Sequence, residues 1–177
     1  MPIYTKKGDS GKTDLCNGDR VKKSSDIIKT LGDLDELNAF LGLARVILAK
    51  SSLKNITLVQ NDLFILGSVI AGVKLDKKKT DYLAGRVVWM EKEIDILSRK
   101  LAELKNFILP DGCEVSARVH VARVICRRCE RSLIYLNKFT GLIPYLNRLS
   151  DYLFVLALYE NHKRGVKDVA VTSNLLL

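Results

Sequence analysis

The segment YTKKGDSGKTDL, residues 4–15, sets Gly8 and Gly11 among Thr5, Thr13, Lys6, Lys7 and Lys12. Glycines let backbone N–H groups converge on an oxyanion, while the hydroxyls add donors and the lysines add charge. The ending GKT invites comparison with the phosphate loop of nucleotide hydrolases, but its spacing is wrong. That loop needs four residues before its G-K-[ST], whereas only Asp9 and Ser10 separate Gly8 from Gly11. Only Ile3 and Tyr4 could serve as the preceding strand, and no βαβ alternation follows. This is not a P-loop. Its composition suits an anion-binding arm, but from this stretch alone a solvated tail is the expected reading.

The second chemical stretch is ARVHVARVICRRCERSL, residues 117–133, with five arginines in an apolar pattern of helical spacing. His120, Arg123, Arg127 and Glu130 fall at i, i+3, i+7 and i+10, on one face beside the apolar stripe. A basic stripe flanking a core seam needs acidic partners or an anionic ligand, and arginine forks suit carboxylate and phosphate alike. Upstream, Asp35, Asn38, Gly42 and Arg45 repeat the same spacing, and Asn147 and Asp151 lie one turn apart near the end of the chain. Asp35 is placed to hold one of the arginines.

These residues must be positioned by helices. Leu83, Val87, Met90, Ile94, Leu97, Leu101 and Leu104 alternate steps of four and three, a long amphipathic helix with Thr80 and Asp81 as caps. It ends ahead of FILPDG, where Pro110 and Gly112 mark a turn. Similar runs cover Ile27–Leu48, Leu53–Ile70, Val119–Leu136 and, after Pro144, Leu146–Leu156. KLDKKK (74–79) reads as a charged linker, NKFTGLI as a connection and VKDVAVTS as a β-prone tail. Near-heptad spacing with short connections predicts an all-α fold, a five-helix bundle with antiparallel neighbours and a glycine-rich N-terminal arm. One domain over 1–177 is expected, divided into arm 1–24, bundle 25–163 and tail 164–177.

The 177 residues are 47% hydrophobic and 28% charged, as in an ordinary globular domain. No apolar run is long enough to span a bilayer, and no targeting peptide is visible, so a cytoplasmic protein is expected. The net charge of +9 calls for an anionic partner. Cys126 and Cys129 form a C-x-x-C inside a helix with no second pair, which reads as packing rather than metal binding. A nucleic-acid-binding module would need an exposed basic face interleaved with aromatics, whereas these arginines flank a core stripe and Trp89 lies in another helix. Neither nucleic acid nor membrane is expected as a partner.

Four stretches together resemble the PduO-type ATP:cob(I)alamin adenosyltransferases: IYTKKGDSGKTDL, LGDLDELNAFLGLAR, FILPDG…HVARVICRRCER and YLNRLSDYLFVLA. The resemblance covers nearly the whole chain in the family's order and spacing. It implies a five-helix bundle in a homotrimer, with ATP and the corrinoid between subunits. It places ATP contacts on Thr5, Lys6, Lys7, Gly8, Thr13, Asp14 and Lys23, on Arg127, Arg128, Cys129, Glu130 and Arg131, and on Asn147. An intersubunit ion pair maps to Asp35 and Arg123, and the apolar residue facing the corrin to Phe107.

The implied reaction is transfer of the 5′-deoxyadenosyl group of ATP to cob(I)alamin with release of triphosphate. Arg127 and Arg131, with Mg²⁺, would stabilise the leaving group, and Phe107 would occupy the lower axial face of cobalt. No protein ligand to the metal is assigned. A corrinoid reductase and a cobalamin-dependent acceptor enzyme are the implied protein partners. A nucleotide-binding regulator that keeps the bundle without catalysis is the alternative. Cys113 and Cys129 stand where the family usually has glycine and alanine.

Overall fold

The computed structural model describes residues 4–172, with Lys50 and Ser51 described in backbone only. Residues 1–3 of the expected arm and 173–177 of the expected tail lie outside the described residues. The chain runs β1 (Lys12–Asp14), β2 (Arg20–Lys22), α1 (Asp26–Arg45), α2 (Lys50–Ile70), α3 (Lys77–Ser98), α4 (Glu114–Leu136) and α5 (Ile143–Lys163). The predicted five-helix bundle is what the chain forms.

Helix α4 packs between α1 and α5, α3 lies against α5, and α2 lies against α1. The apolar spacing explains this order. In α1 the buried Leu34, Leu37, Leu41 and Ala44 recur every three or four residues, and in α4 Val119, Ala122, Cys126, Cys129 and Leu133 do the same. In α5 the apolar surface is wider, with Leu146, Leu149, Leu153, Leu156 and Ala157 all buried, so that it can meet α3 and α4 together. Truncating a fully buried leucine such as Leu37 or Leu146 to alanine would cost about 2–5 kcal/mol.

Two boundaries of α3 differ from expectation. The helix begins within the supposed linker, because Asp76 caps it by accepting from the Lys79 N–H at 2.8 Å. Thr80 and Asp81 therefore lie inside the first turns. At the other end the apolar spacing runs on to Leu104, but the helix stops at Ser98. The N–H groups of Lys100 and Leu101 bond three residues back, to Leu97 and Ser98, which tightens and ends the helix. Leu104 is left exposed on a cavity wall.

The arm contains an element that the glycine-rich composition conceals, the antiparallel hairpin β1–β2 with Thr13 opposite Val21. The tail behaves as its β-prone residues imply. It returns along the α3–α4 connection, where Ile108 bridges Ala170, Leu109 N–H donates to Val169 O at 2.8 Å and Val171 N–H donates to Phe107 O at 2.8 Å.

Candidate functional site

The arm is folded on itself. Asp9 and Gly11 N–H groups close turns on the carbonyls of Lys6 and Gly8, and Lys23 N–H returns to Gly11 O at 2.9 Å. Arg20 fastens the hairpin to the turn, bonding Asp14 Oδ1 at 2.8 Å and Lys7 O at 2.7 Å. The Lys23 ammonium lies so close to Gly8 that a Cβ there would stand 3.0 Å from Nζ. Gly8 is therefore the residue that lets this cation lie over the backbone. Lys6, Lys7, Lys12 and Lys23 form no ion pair among the described residues, while Asp14 is held by Arg20. Thr5 is exposed and Thr13 half-buried.

On α4 the arginines divide into two kinds. Arg128 turns toward α1, where Nε donates to Asp33 Oδ1 at 3.1 Å and Nη2 bonds Glu36. Ser132 Oγ completes that contact by donating to Asp33 Oδ2 at 2.6 Å. Arg123, Arg127 and Arg131 have no carboxylate partner among the described residues. Burial lowers the Arg123 pKa, and the Arg127 charge lowers it further, so these two cations repel one another. Glu130 instead accepts from Asn147 Nδ2 at 3.0 Å, joining the motif on α4 to α5.

Cys129 is fully buried, with its thiol on the Asp33 carbonyl at 3.0 Å. Burial, with Asp33 adding to it, pushes this thiol up to about 12. Burial likewise pushes Cys126 well up. Both stay neutral and pack as small apolar groups, since metal binding and redox attack need the thiolate. The side chain of Cys129 is thus enclosed by protein, and any ligand contact there would have to be made by its neighbours.

A cavity of about 760 Å³ opens where the α3–α4 connection meets α4 and α5, lined by Leu104, Phe107, Ile108, Arg123, Phe154 and Val171 among others. Phe107 is 82% exposed at its mouth, an unusual position for a large aromatic ring. Arg123 lies 5.8 Å from the Phe154 ring centroid, and its Nε donates to His120 Nδ1 at 3.3 Å. The cavity therefore offers an apolar wall and two cations, Arg123 and Lys105. Asp35 is exposed on α1 and has no ion pair among the described residues, so it does not meet Arg123 within one chain.

The structure thus brings together Gly8 with Lys23, Glu130 with Asn147, and Phe107 with Arg123. No hydrogen bond or ion pair joins the arm to the arginine row among the described residues. Sequence reasoning missed Arg20, the fastener of the arm, and Asn161, which is buried beside the Phe107 loop. Arg20 stands opposite Asp14 in the hairpin, a pairing visible only once the register is known. Asn161 lies in no recognisable motif.

The sequence profile of the cobalamin adenosyltransferases matches residues 3–160. A corrinoid adenosyltransferase of Bacillus subtilis is 37% identical over 96% of this chain and 91% of its own length. A cobalamin adenosyltransferase of Cupriavidus metallidurans is 38% identical over 94% of this chain and 92% of its own length. Among solved structures, a variant PduO-type ATP:corrinoid adenosyltransferase from Lactobacillus reuteri, complexed with cobalamin and ATP, superposes with a TM-score of 0.87 at 28% identity, covering 96% of each chain. The profile match, the matched length and the shared fold agree: this chain belongs to the cobalamin adenosyltransferase family.

Proposed function

We propose that the protein is an ATP:corrinoid adenosyltransferase whose arginine row receives the triphosphate and whose Phe107 cavity receives the corrinoid. The observation that carries this reading is the set Arg123, Arg127 and Arg131 on α4, left without carboxylates among the described residues, with Arg123 lining an apolar cavity that has an aromatic ring at its mouth. In the reaction a Co–C bond forms to C5′ of ATP as the C5′–O bond breaks. The bonding pair leaves with triphosphate, and the electron pair of the new bond comes from Co(I).

Little acid–base chemistry is needed, so the chain's task is alignment and charge stabilisation. Arg127 and Arg131, fixed on α4, supply donors for the leaving oxyanions. Thr5, Lys6, Lys7, Gly8, Thr13 and Lys23 form a cationic cradle for the nucleotide, with Arg20 and Asp14 keeping it closed. Glu130 and Asn147 provide a polar pair for the nucleoside. Among the described residues no three His, Cys, Asp or Glu side chains converge, so a protein cage does not fit Mg²⁺. The ion fits as a companion of ATP, ligated by phosphate and water.

Arg123 and the exposed Asp35, neither with an ion-pair partner among the described residues, support an ion pair between subunits, and hence a homotrimer with sites at its interfaces. We place the protein in the cytoplasm, working with a reductase that supplies Co(I) and an acceptor enzyme that uses the product.

The test is anaerobic turnover with ATP, Mg²⁺ and chemically reduced cob(I)alamin, following the light-sensitive adenosyl–cobalt spectrum and released triphosphate. Both products should appear together. Phe107→Ala should lower kcat on the order of a hundredfold by loosening corrin placement, with ATP binding unchanged. ATP binding without either product would overturn the catalytic reading in favour of a nucleotide-binding regulator.

A further inference from the structure

Asn161, near the end of α5, is 1% exposed, and its side chain bonds two separate segments. Its Oδ1 accepts from the Cys113 N–H at 2.9 Å, and its Nδ2 donates to Asp168 Oδ1 at 2.8 Å and to Asp111 O at 3.4 Å. Gly112, between the two loop residues, has a φ of +111° and lies against the amide so closely that a Cβ would stand 2.3 Å from it. Only glycine fits that approach and that backbone angle.

The loop so held runs back to Phe107, and the tail so held runs forward to Val171. These two are themselves joined, since Val171 N–H donates to Phe107 O and Leu109 N–H to Val169 O, each at 2.8 Å. Phe107 and Val171 both line the large cavity. One buried amide therefore fastens both strands of the cavity wall to the bundle. A buried amide satisfied on both its oxygen and its nitrogen holds a single orientation, because either atom left unpaired would carry the full desolvation cost.

We propose that Asn161 is a positioning residue for the corrinoid: through Cys113 and Asp168 it locks the 107–113 loop to the 168–171 tail and so fixes where Phe107 stands in the cavity. This rests on the reading of that cavity as the corrinoid site. It assigns the tail, otherwise remote from the chemistry, a part in substrate binding.

The exposed Asp168 can be changed with little risk to folding. Asp168→Ala removes the tail anchor alone. Asn161→Asp keeps the acceptor for Cys113 but sets a carboxylate against Asp168. The double variant Asn161→Asp/Asp168→Asn reverses donor and acceptor and restores the bond to the tail, leaving only the longer 3.4 Å contact with Asp111 O unmade.

Either single variant should raise KM for cob(I)alamin about tenfold while KM for ATP stays within about twofold, the scale of one lost hydrogen bond to a charged group. The double variant should return to within about threefold of the parent. Amide exchange in the ligand-free chain should accelerate at Leu109 and Val171 in both single variants, with Cys113 remaining protected in Asn161→Asp. Equal changes in both KM values, a double variant no better than Asn161→Asp, or unchanged exchange at Leu109 and Val171 would each overturn the proposal. If the parent chain does not turn over, the reading of the reaction falls, and the exchange data still decide whether the lock exists.

Discussion

Two arginine clusters in this molecule have opposite fates. Arg86 on α3 is buried, its Nε 2.6 Å from Asp62 Oδ2 and its guanidinium 3.9 Å from the Trp89 ring centroid. Asp62 is fully enclosed and also accepts from Tyr82 at 2.6 Å and Tyr145 at 2.7 Å. One α2 carboxylate is thereby tied to α3 and α5, with Arg86 Nη2 left as the single unpaired buried atom of the group. On α4 the row Arg123, Arg127 and Arg131 has cations and no carboxylate among the described residues. Where the chain supplies the counter-charge, arginine is part of the architecture. Where no carboxylate is supplied among the described residues, the guanidinium groups stay available to other anions.

Removing the counter-charge from the closed cluster should do the most damage. Asp62→Ala leaves Arg86 buried and unpaired, with an expected loss of about 3–5 kcal/mol in chemical denaturation. Arg127→Ala should leave the denaturation midpoint unchanged, yet lower kcat by about 10²–10³-fold, as for loss of one preorganised donor to a developing oxyanion. An Arg127→Ala variant that lost stability instead would erase the distinction between the clusters.

Tyr82→Phe removes one of the donors to Asp62 and should cost about 1 kcal/mol of stability with turnover intact. Last and smallest is a pH effect at the edge of the open row. Burial lowers the His120 pKa, Arg123 lowers it further, and Asp168 and Asp111 oppose both. The folded chain thus binds a proton less readily than the unfolded one, whose histidine titrates near 6.5. Stability should be fully present above pH 6.5 and decline as pH falls below it, and His120→Gln should flatten that slope in thermal denaturation.

The open row was legible in the sequence and the closed cluster was not, for a physical reason. Arg123 and Arg127 share a face with His120 and Glu130 that follows from the helical period alone, while Arg131 was singled out by the family resemblance. Asp62 and Arg86 lie on different helices, and Tyr145 is 83 residues from Asp62. Only the packing order brings them together.

The same division applies to the bundle. Its helices were visible because burial repeats along each of them, as in Leu83, Met90 and Leu97. The end of α3 was not visible, because Leu101 and Leu104 continue the period after the backbone has turned. The hairpin escaped notice because its three-residue strands are too short to show alternation. Phe107 drew attention through family resemblance and Asp35 through its helical spacing, and the exposure of both is compatible with the roles that resemblance implies.

Arg20 has one more consequence. By tying Asp14 to the Lys7 carbonyl it closes the arm through contacts made entirely within the arm. Much of the backbone entropy that a loose glycine–lysine tail would surrender on capture has therefore already been lost in folding. ATP would meet a receptacle already shaped, and its binding would show the small heat-capacity change of docking rather than the large one of coupled folding.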